Sequence, residues 1–308
     1  MSDNSHAYTC MVFGANGYIG RHMVHFLART GARVRAFDIH EQSIIQGEEY
    51  EKIDITDGLK LHRLDWNADF VFMFAGFTGP YRGFDHYQEF MRVNEIGLLN
   101  ILTAIRNSNY RPRLIFPSSR LVYKGSDLPL KENDEKYPKT IYAINKLACE
   151  HFLEVFHNAF GINYTVYRIG VPYGNVVGAD PSQGTMGFFL NQARNDSRIR
   201  LYGDGSLRRT FTHIEDLYRQ IITSCGDERS LNEIYNILGE DLSLKEVATI
   251  VADACNAAIS FTDWPEKDLR IESGHTVFNS WKLQHAFDVA LKRTVKDWGH
   301  TLGSADSS

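Results

Sequence analysis

The sequence predicts an α/β fold: a doubly wound parallel sheet followed by a smaller C-terminal lobe. Three observations carry this. Short apolar runs alternate with helical patterns, a glycine turn joins the first run to the first helix, and regular alternation is lost after Pro172. Parallel neighbours need a long connection to bring the chain back to the same edge, so the alternation implies one sheet with right-handed crossovers. A chain of 308 residues, 43% hydrophobic and 23% charged, can bury a sizeable core.

The first apolar run, Thr9–Phe13, reads as a strand ending at Gly14, and residues 21–29 place Met23, Val24, Phe26 and Leu27 at helical spacing. Further strands are expected at 33–37, at the buried-type run 70–75 and at 113–116. Between them, 90–106 puts Val93, Ile96, Gly97 and Ile101 on one helical face. Residues 142–160 read as a long helix and Tyr164–Ile169 as another strand. Beyond Pro172 come Gly174, Gly178, Pro181, Gly184 and Gly187, and 304–308 reads as a frayed tail. The expected division is a first domain over 1–170, then 171–308 as mainly the smaller lobe, with segments returning to the first domain.

Composition narrows the function. A net charge of −5 and an isoelectric point near 6.2 give no broad basic surface, so nucleic acid is not an expected partner. Cys10, Cys149, Cys225 and Cys255 lie far apart without a CxxC pair, which indicates neither a disulfide framework nor a zinc site and suits a reducing, cytoplasmic compartment. No apolar run reaches the roughly 18 residues of a membrane span. The polar start 1–8 lacks the features of a signal peptide, so a soluble protein with no membrane partner is expected. The 12 histidines are scattered; His22 and His25, on the first helix, read as surface or packing residues rather than metal ligands.

After the first strand the chain reads Gly14-Ala15-Asn16-Gly17-Tyr18-Ile19-Gly20, with glycine at every third position. Glycine permits a tight turn and close approach to a pyrophosphate, and the following helix presents its positive end to the anion. Gly14, Asn16, Gly17, Tyr18, Ile19 and Gly20 are therefore the expected dinucleotide cradle, against the alternative of an ordinary strand-to-helix turn. Asp38, ending the second strand, suits two ribose hydroxyls and would repel a 2′-phosphate, which favours NAD over NADP; a helix cap or solvated turn is the competing reading, and His40 can tolerate a phosphate. Asp54, with Ile55, is placed to meet the adenine edge. Ala75 and Gly76 end the strand expected to pass the nicotinamide.

Among 15 tyrosines only Tyr142 has lysine four residues on, Lys146, which puts both on one helical face. Ser118 and Ser119 directly follow the strand ending at Phe116 and Pro117, at the carboxyl edge where such sheets bind ligands. Hydride transfer at a hydroxyl-bearing carbon needs a group to take or return the hydroxyl proton. A phenol of ordinary pKa near 10 is too weak for this. An ammonium about 5 Å away, at an effective dielectric near 20, stabilises the phenolate by about 3 kcal/mol, roughly two pKa units. A serine hydroxyl can hold the reacting oxygen in line.

The glycine turn, the serine and the tyrosine-lysine pair, in this order, resemble the extended short-chain dehydrogenase/reductases, the nucleotide-sugar epimerase/dehydratase family with its Rossmann fold. The resemblance implies Tyr142 as acid/base, Lys146 on the nicotinamide ribose, and Ser119 as the third member, because Ser119-Arg120-Leu121-Val122-Tyr123 is similar to the family's Ser-x-x-Val-Tyr run. It also implies a structural role for Asn94. Tyr202-Gly203-Asp204-Gly205 followed by Arg209 and Phe211 resembles a signature whose arginine contacts the nucleotide diphosphate, so Arg209, with Arg270 as a looser second clamp, is expected to bind substrate beside Ser119 and Tyr142. For either arginine the alternative is a solvated surface charge.

Three departures bear on the reaction. Arg120 and Leu121 stand where the resembling dehydratases carry an Asp-Glu pair, which disfavours water elimination. Val171 replaces a substrate-binding Asn, and Thr210 replaces the Asp after Arg209. The leading expectation is therefore reduction of a 4-keto-6-deoxy nucleotide sugar at C4. A 4-epimerase with retained NAD is its rival, a catalytically silent dinucleotide sensor the alternative from another class, and a homodimer the assembly the resemblance implies.

Overall fold

The computed structural model describes residues 8–178 and 182–305. Pro181, residues 1–7 of the polar start and 306–308 of the expected tail lie outside the described residues, and Ser304 and Ala305 belong to the last helix instead of a tail.

In chain order the elements are β1 (Thr9–Phe13), α1 (Tyr18–Arg29), β2 (Arg33–Asp38), β3 (Glu49–Lys52), α2 (Gly58–Arg63), β4 (Phe70–Met73), α3 (Arg82–Asp85), α4 (Tyr87–Phe90) and α5 (Gly97–Asn107). There follow β5 (Arg113–Ser119), α6 (Ile141–Phe160), β6 (Tyr164–Ile169), β7 (Val171–Tyr173), α7 (Gly184–Asp196), β8 (Arg198–Tyr202), β9 (Arg208–His213) and α8 (Ile214–Cys225). The rest are β10 (Glu233–Asn236), β11 (Glu240–Ser243), α9 (Leu244–Cys255), β12 (Ala258–Thr262), α10 (Glu266–Ile271), α11 (Trp281–Phe287) and α12 (Val295–Ala305).

The central sheet has seven strands in the order β10-β6-β5-β4-β1-β2-β3. The pairs β1/β2, β1/β4, β2/β3 and β4/β5 are all parallel, with Phe13 opposite both Phe37 and Met73. Four of the five residues of β1 and all of β4 are buried, as strands covered on both faces require. Order falls as 3-2-1-4-5 through this part of the sheet, which places the strand-order reversal, and hence a ligand crevice, beside the carboxyl ends of β1 and β4.

Three expected elements change. The strand in 70–75 ends at Met73, the one at 113–116 runs on to Ser119, and 90–106 is not one continuous α-helix. Between α4 and α5 a wider π-helical turn, Met91–Ile96, takes in an extra residue. Its buried Asn94 turns to the loop after β4: Oδ1 accepts from Phe77 N at 2.8 Å and Nδ2 donates to Phe77 O at 3.1 Å.

By its internal contacts the chain divides into two compact units, 8–118 with 140–167 and 224–234, and 119–139 with 168–223 and 235–305. Residues 119–139 fall in the second unit and 224–234 in the first. Segment 224–234 is tied to the first unit because Arg113 donates to Asp227 O and Ser230 Oγ, Thr165 donates to Ser230 O, and Asn232 N donates to Tyr164 O. The first unit's core packs Met11, Phe13, Phe37 and Trp66 against Leu98, Ile101 and Leu102 of α5 and Cys149 and Leu153 of α6. The second unit holds the three-stranded sheet β11-β9-β7 and the parallel pair β12/β8; Phe189, Leu190, Val247, Val251 and Trp298 of α7, α9 and α12 fill its core.

Candidate active site

The turn from β1 into α1 is held by the neighbouring strand: Gly14 N and Ala15 N both donate to Phe37 O, and Gly17 N returns to Gly14 O. Gly14 sits at φ +80°, and a Cβ there would lie 2.4 Å from Ala75 N; one on Gly20 would lie 1.9 Å from Gly14 O. Both glycines are therefore demanded by backbone packing. Gly17, the N-cap of α1, meets only Gly14 O at 3.2 Å, and the helix has no acidic residue in its first turn to compete with an anion.

Beside the turn lies a cavity of about 420 Å³, within the first unit. Gly14, Asn16, Gly17, Asp38, Asp54, Ile55, Ala75 and Gly76 line it, together with Ile39, His40, Thr56, Phe77 and Arg92. Tyr18, Ile19 and Gly20 follow in the helix mouth, so the structure brings the expected cradle and the carboxylate of β2 to one end of the sheet. Asp38 is 8% exposed, its Oδ2 accepting from Asn16 N at 2.9 Å and its Oδ1 lying 2.6 Å from His40 Nδ1. Oδ1 also accepts from His40 N at 3.3 Å, so it is Oδ2 that keeps a further lone pair for a ribose hydroxyl. The side chain of Asn16 donates to Gln42 O and accepts from Ile44 N, pinning the loop after β2. Thr56, Phe77 and Arg92 carry no sequence pattern; the loop and π turn bring them in, with Arg92 Nη2 donating to Thr56 Oγ1. A glycine-built turn that excludes side chains, an uncapped helix end and a buried acceptor pair fit a dinucleotide.

Tyr142 and Lys146 lie one turn apart near the start of α6, where Thr140 caps the helix through Ala143 N. The Lys146 amine donates to Pro117 O at 2.6 Å, 4.5 Å from the Phe116 ring centre and 5.8 Å from that of Tyr142. Burial pushes the Lys146 ammonium down to about 8, while Cys149 and Glu150 pull it the other way. At neutral pH the charge is present, and it is lost as pH rises through about 8. Ser118 and Ser119 part company: Ser118 Oγ donates to Glu150 Oε1, whereas Ser119, the last residue of β5 and the first of the second unit, accepts from Leu121 N at 3.2 Å.

In the second unit Arg209 is 2% exposed and already committed, with Nη2 on Glu272 Oε1 at 2.5 Å and Nη1 on Gly274 O and Arg208 O. Arg270 is a surface charge paired with Glu266 on its own helix. Arg120 donates to Thr276 Oγ1, and Thr210 Oγ1 accepts from Phe278 N at 2.7 Å. His22 is fully buried with Nδ1 on Tyr18 O. Among the described residues no group of three or more His, Cys, Asp or Glu side chains is gathered as for a metal ion, and no helix is long and apolar enough to cross a membrane.

A parallel sheet with this glycine turn at its strand-order reversal defines a Rossmann-type dinucleotide-binding enzyme. Residues 10–237 match the NAD dependent epimerase/dehydratase family, and the chain belongs to that family, with NAD as its cofactor. It is 30% identical over 254 residues to the UDP-N-acetyl-alpha-D-glucosaminuronate decarboxylase of Bacillus cytotoxicus, covering 78% of each chain. To the dTDP-4-dehydro-6-deoxy-D-allose reductase of Streptomyces bikiniensis it is 26% identical, over 79% of this chain and 80% of that one. Its fold superposes on the Thermus thermophilus UDP-glucose 4-epimerase in complex with NAD with a TM-score of 0.83 at 23% identity, over 96% of this chain and 99% of the other.

Proposed function

We propose that the chain is a nucleotide-sugar oxidoreductase acting at C4 of the sugar, in the reductive sense on a 4-keto-6-deoxy sugar. The observation that carries this reading is the Tyr142-Lys146 pair on α6, with its amine anchored on Pro117 O at the carboxyl end of β5. NAD, when bound, supplies the hydride acceptor or donor. Gly14, Gly17, Tyr18, Ile19 and Gly20 hold the diphosphate, Asp38 the adenosine ribose, Asp54 and Ile55 the adenine, and Ala75 and Gly76 leave room for the nicotinamide. Tyr142 gives its phenol proton to the C4 oxygen in reduction and takes it back in oxidation, Lys146 favours the phenolate and binds the nicotinamide ribose, and Ser119 orients the reacting oxygen.

Arg120 at the position of an acidic dehydratase residue supports simple redox chemistry over elimination. Asp38 favours a second reading, a 4-epimerase that retains NAD, and named relatives of both kinds exist, the reductase above and a UDP-glucuronate 4-epimerase of Thermodesulfobacterium geofontis at 24% identity. Arg209 serves the substrate diphosphate only after parting from Glu272. A homodimer through two helices, one of them α6, belongs to the same reading, supported by exposed Ile144 and Val155 of α6; a chain that sediments as a single copy contradicts it.

A panel of nucleotide sugars, their uronates and 4-keto derivatives, followed by nicotinamide absorbance, tests the assignment. Consumption of added NADH by a keto-sugar is the expected result. Interconversion of C4 epimers by enzyme carrying its own NAD selects the second reading, and no turnover of any member overturns both. A further expectation concerns the cofactor: Asp38→Asn should tighten NADP binding by roughly tenfold or more by removing a like-charge juxtaposition, read as Kd from fluorescence titration with NAD and NADP in parallel.

A further inference from the structure

Glu150 is a buried carboxylate that the acid-base pair does not itself require. It is 4% exposed, one turn beyond Lys146 and two beyond Tyr142, so residues 142, 146 and 150 share one stripe of α6. Its Oε1 accepts from the Ser118 hydroxyl at 2.5 Å, and Ser118 is 3% exposed. The Lys146 amine donates to the carbonyl of the preceding residue, Pro117. Two side chains of one helix thus grip two successive residues at the end of β5, one by its carbonyl and the next by its hydroxyl. Since burying a carboxylate is costly unless it is paired and hydrogen-bonded, a carboxylate set beside the one lysine the chemistry needs calls for a reason.

We infer that Glu150 is a positioning residue for the Tyr142-Lys146 pair: by holding Ser118 it fixes the Pro117 carbonyl on which the amine rests, and from one helical turn away it sets a carboxylate on the same stripe as that amine. The inference rests on the redox reading above and deepens it. The groups facing Lys146 are Tyr142, Cys149 and Glu150 on α6 and Pro117 O and the Phe116 ring on β5. From the π turn, Glu95 bears on Cys149 and accepts from Asn145. Glu150 is the carboxylate among those that act on Lys146 directly, and its pull opposes the burial that otherwise lowers the amine. A nearby negative charge favours the ammonium, so its removal must lower the amine's titration midpoint.

The test follows the Lys146 ε-carbon by NMR in 13C-lysine-labelled full-length protein, with Lys146→Met for assignment, and measures kcat, KM and NAD affinity alongside. Glu150→Gln is expected to move the Lys146 midpoint down from about 8 by roughly half a unit or more. It should also cut kcat by roughly tenfold or more at pH 7.5 while KM and NAD affinity stay within about threefold. Glu150→Asp, which keeps the charge but cannot reach Ser118 in the same way, is expected to hold the midpoint near its original value and restore kcat only in part. Ser118→Ala should lower kcat with the midpoint nearly unmoved. An unchanged midpoint in Glu150→Gln overturns the inference, whether kcat is kept or falls with a general loss of stability. Should that variant fail to fold, a Glu150→Asp protein with full kcat together with an unaffected Ser118→Ala overturns it equally. The midpoint is read without any sugar, so it stands or falls apart from the substrate assignment.

Discussion

Replacing Tyr142 by Phe is expected to lower kcat by roughly a thousandfold while leaving the Kd for NAD within about twofold of its original value. The phenyl ring keeps the shape of the side chain, so the packing at the start of α6 survives while the hydroxyl and its transferable proton are lost. The cavity beside the glycine turn is lined by other residues, from Gly14 to Val93. Rapid-mixing measurement of nicotinamide absorbance separates the hydride step from product release. A variant that turns over at the original rate would remove Tyr142 from the acid-base role, and a protein that binds NAD, turns over no sugar and shows an unchanged phenotype on this substitution would support a dinucleotide-sensing protein.

The second large effect belongs to the glycine turn. Gly20→Val should abolish measurable NAD binding and cost about 2–3 kcal/mol or more of stability, at the upper end of what overpacking a core inflicts. The atoms in the way are Gly14 O at 1.9 Å and Ala15 Cα at 3.1 Å, both backbone, and Gly14 is itself fixed at φ +80° by the hydrogen bond of its N–H to Phe37 O. Nothing flexible can yield. Gly17→Ala provides the contrast: its Cβ meets only one atom, at 3.2 Å. That protein is expected to fold with a stability change below about 1 kcal/mol yet bind NAD more weakly, because Gly17 lines the cavity. Denaturant unfolding and calorimetric titration of the two variants side by side distinguish a turn built for packing alone from one built for a ligand.

Local features were legible in the sequence because they follow from short-range geometry. Glycine at every third position implies a tight strand-to-helix turn, and lysine four residues after tyrosine implies a shared helical face; neither inference needs a partner from elsewhere in the chain. Glu150 is not reached in this way: its partner Ser118 is 32 residues away, and only the fold joins them. Distance along the chain also hid what Arg209 does. Its ion pair with Glu272 spans 63 residues, and no local pattern tells a buried arginine from one waiting at the surface. The π turn at Met91–Ile96 was hidden because a single extra residue barely disturbs helical periodicity, and it shows itself only through the grip of Asn94 on Phe77. Asn16 stands among the glycines of the turn, yet its side chain secures Gln42 and Ile44, a loop whose course no turn rule predicts.

Difference ultraviolet titration of the phenolate, taken between the unmodified protein and Tyr142→Phe, isolates one tyrosine from the other 14 of the 15 in the chain. Tyr142 is expected to ionise below the ordinary tyrosine range, and in a Lys146→Met background to return towards it. A Tyr142 that ionises at or above that range with Lys146 in place would contradict the account, since the amine would then be doing nothing to ready the phenol for proton transfer.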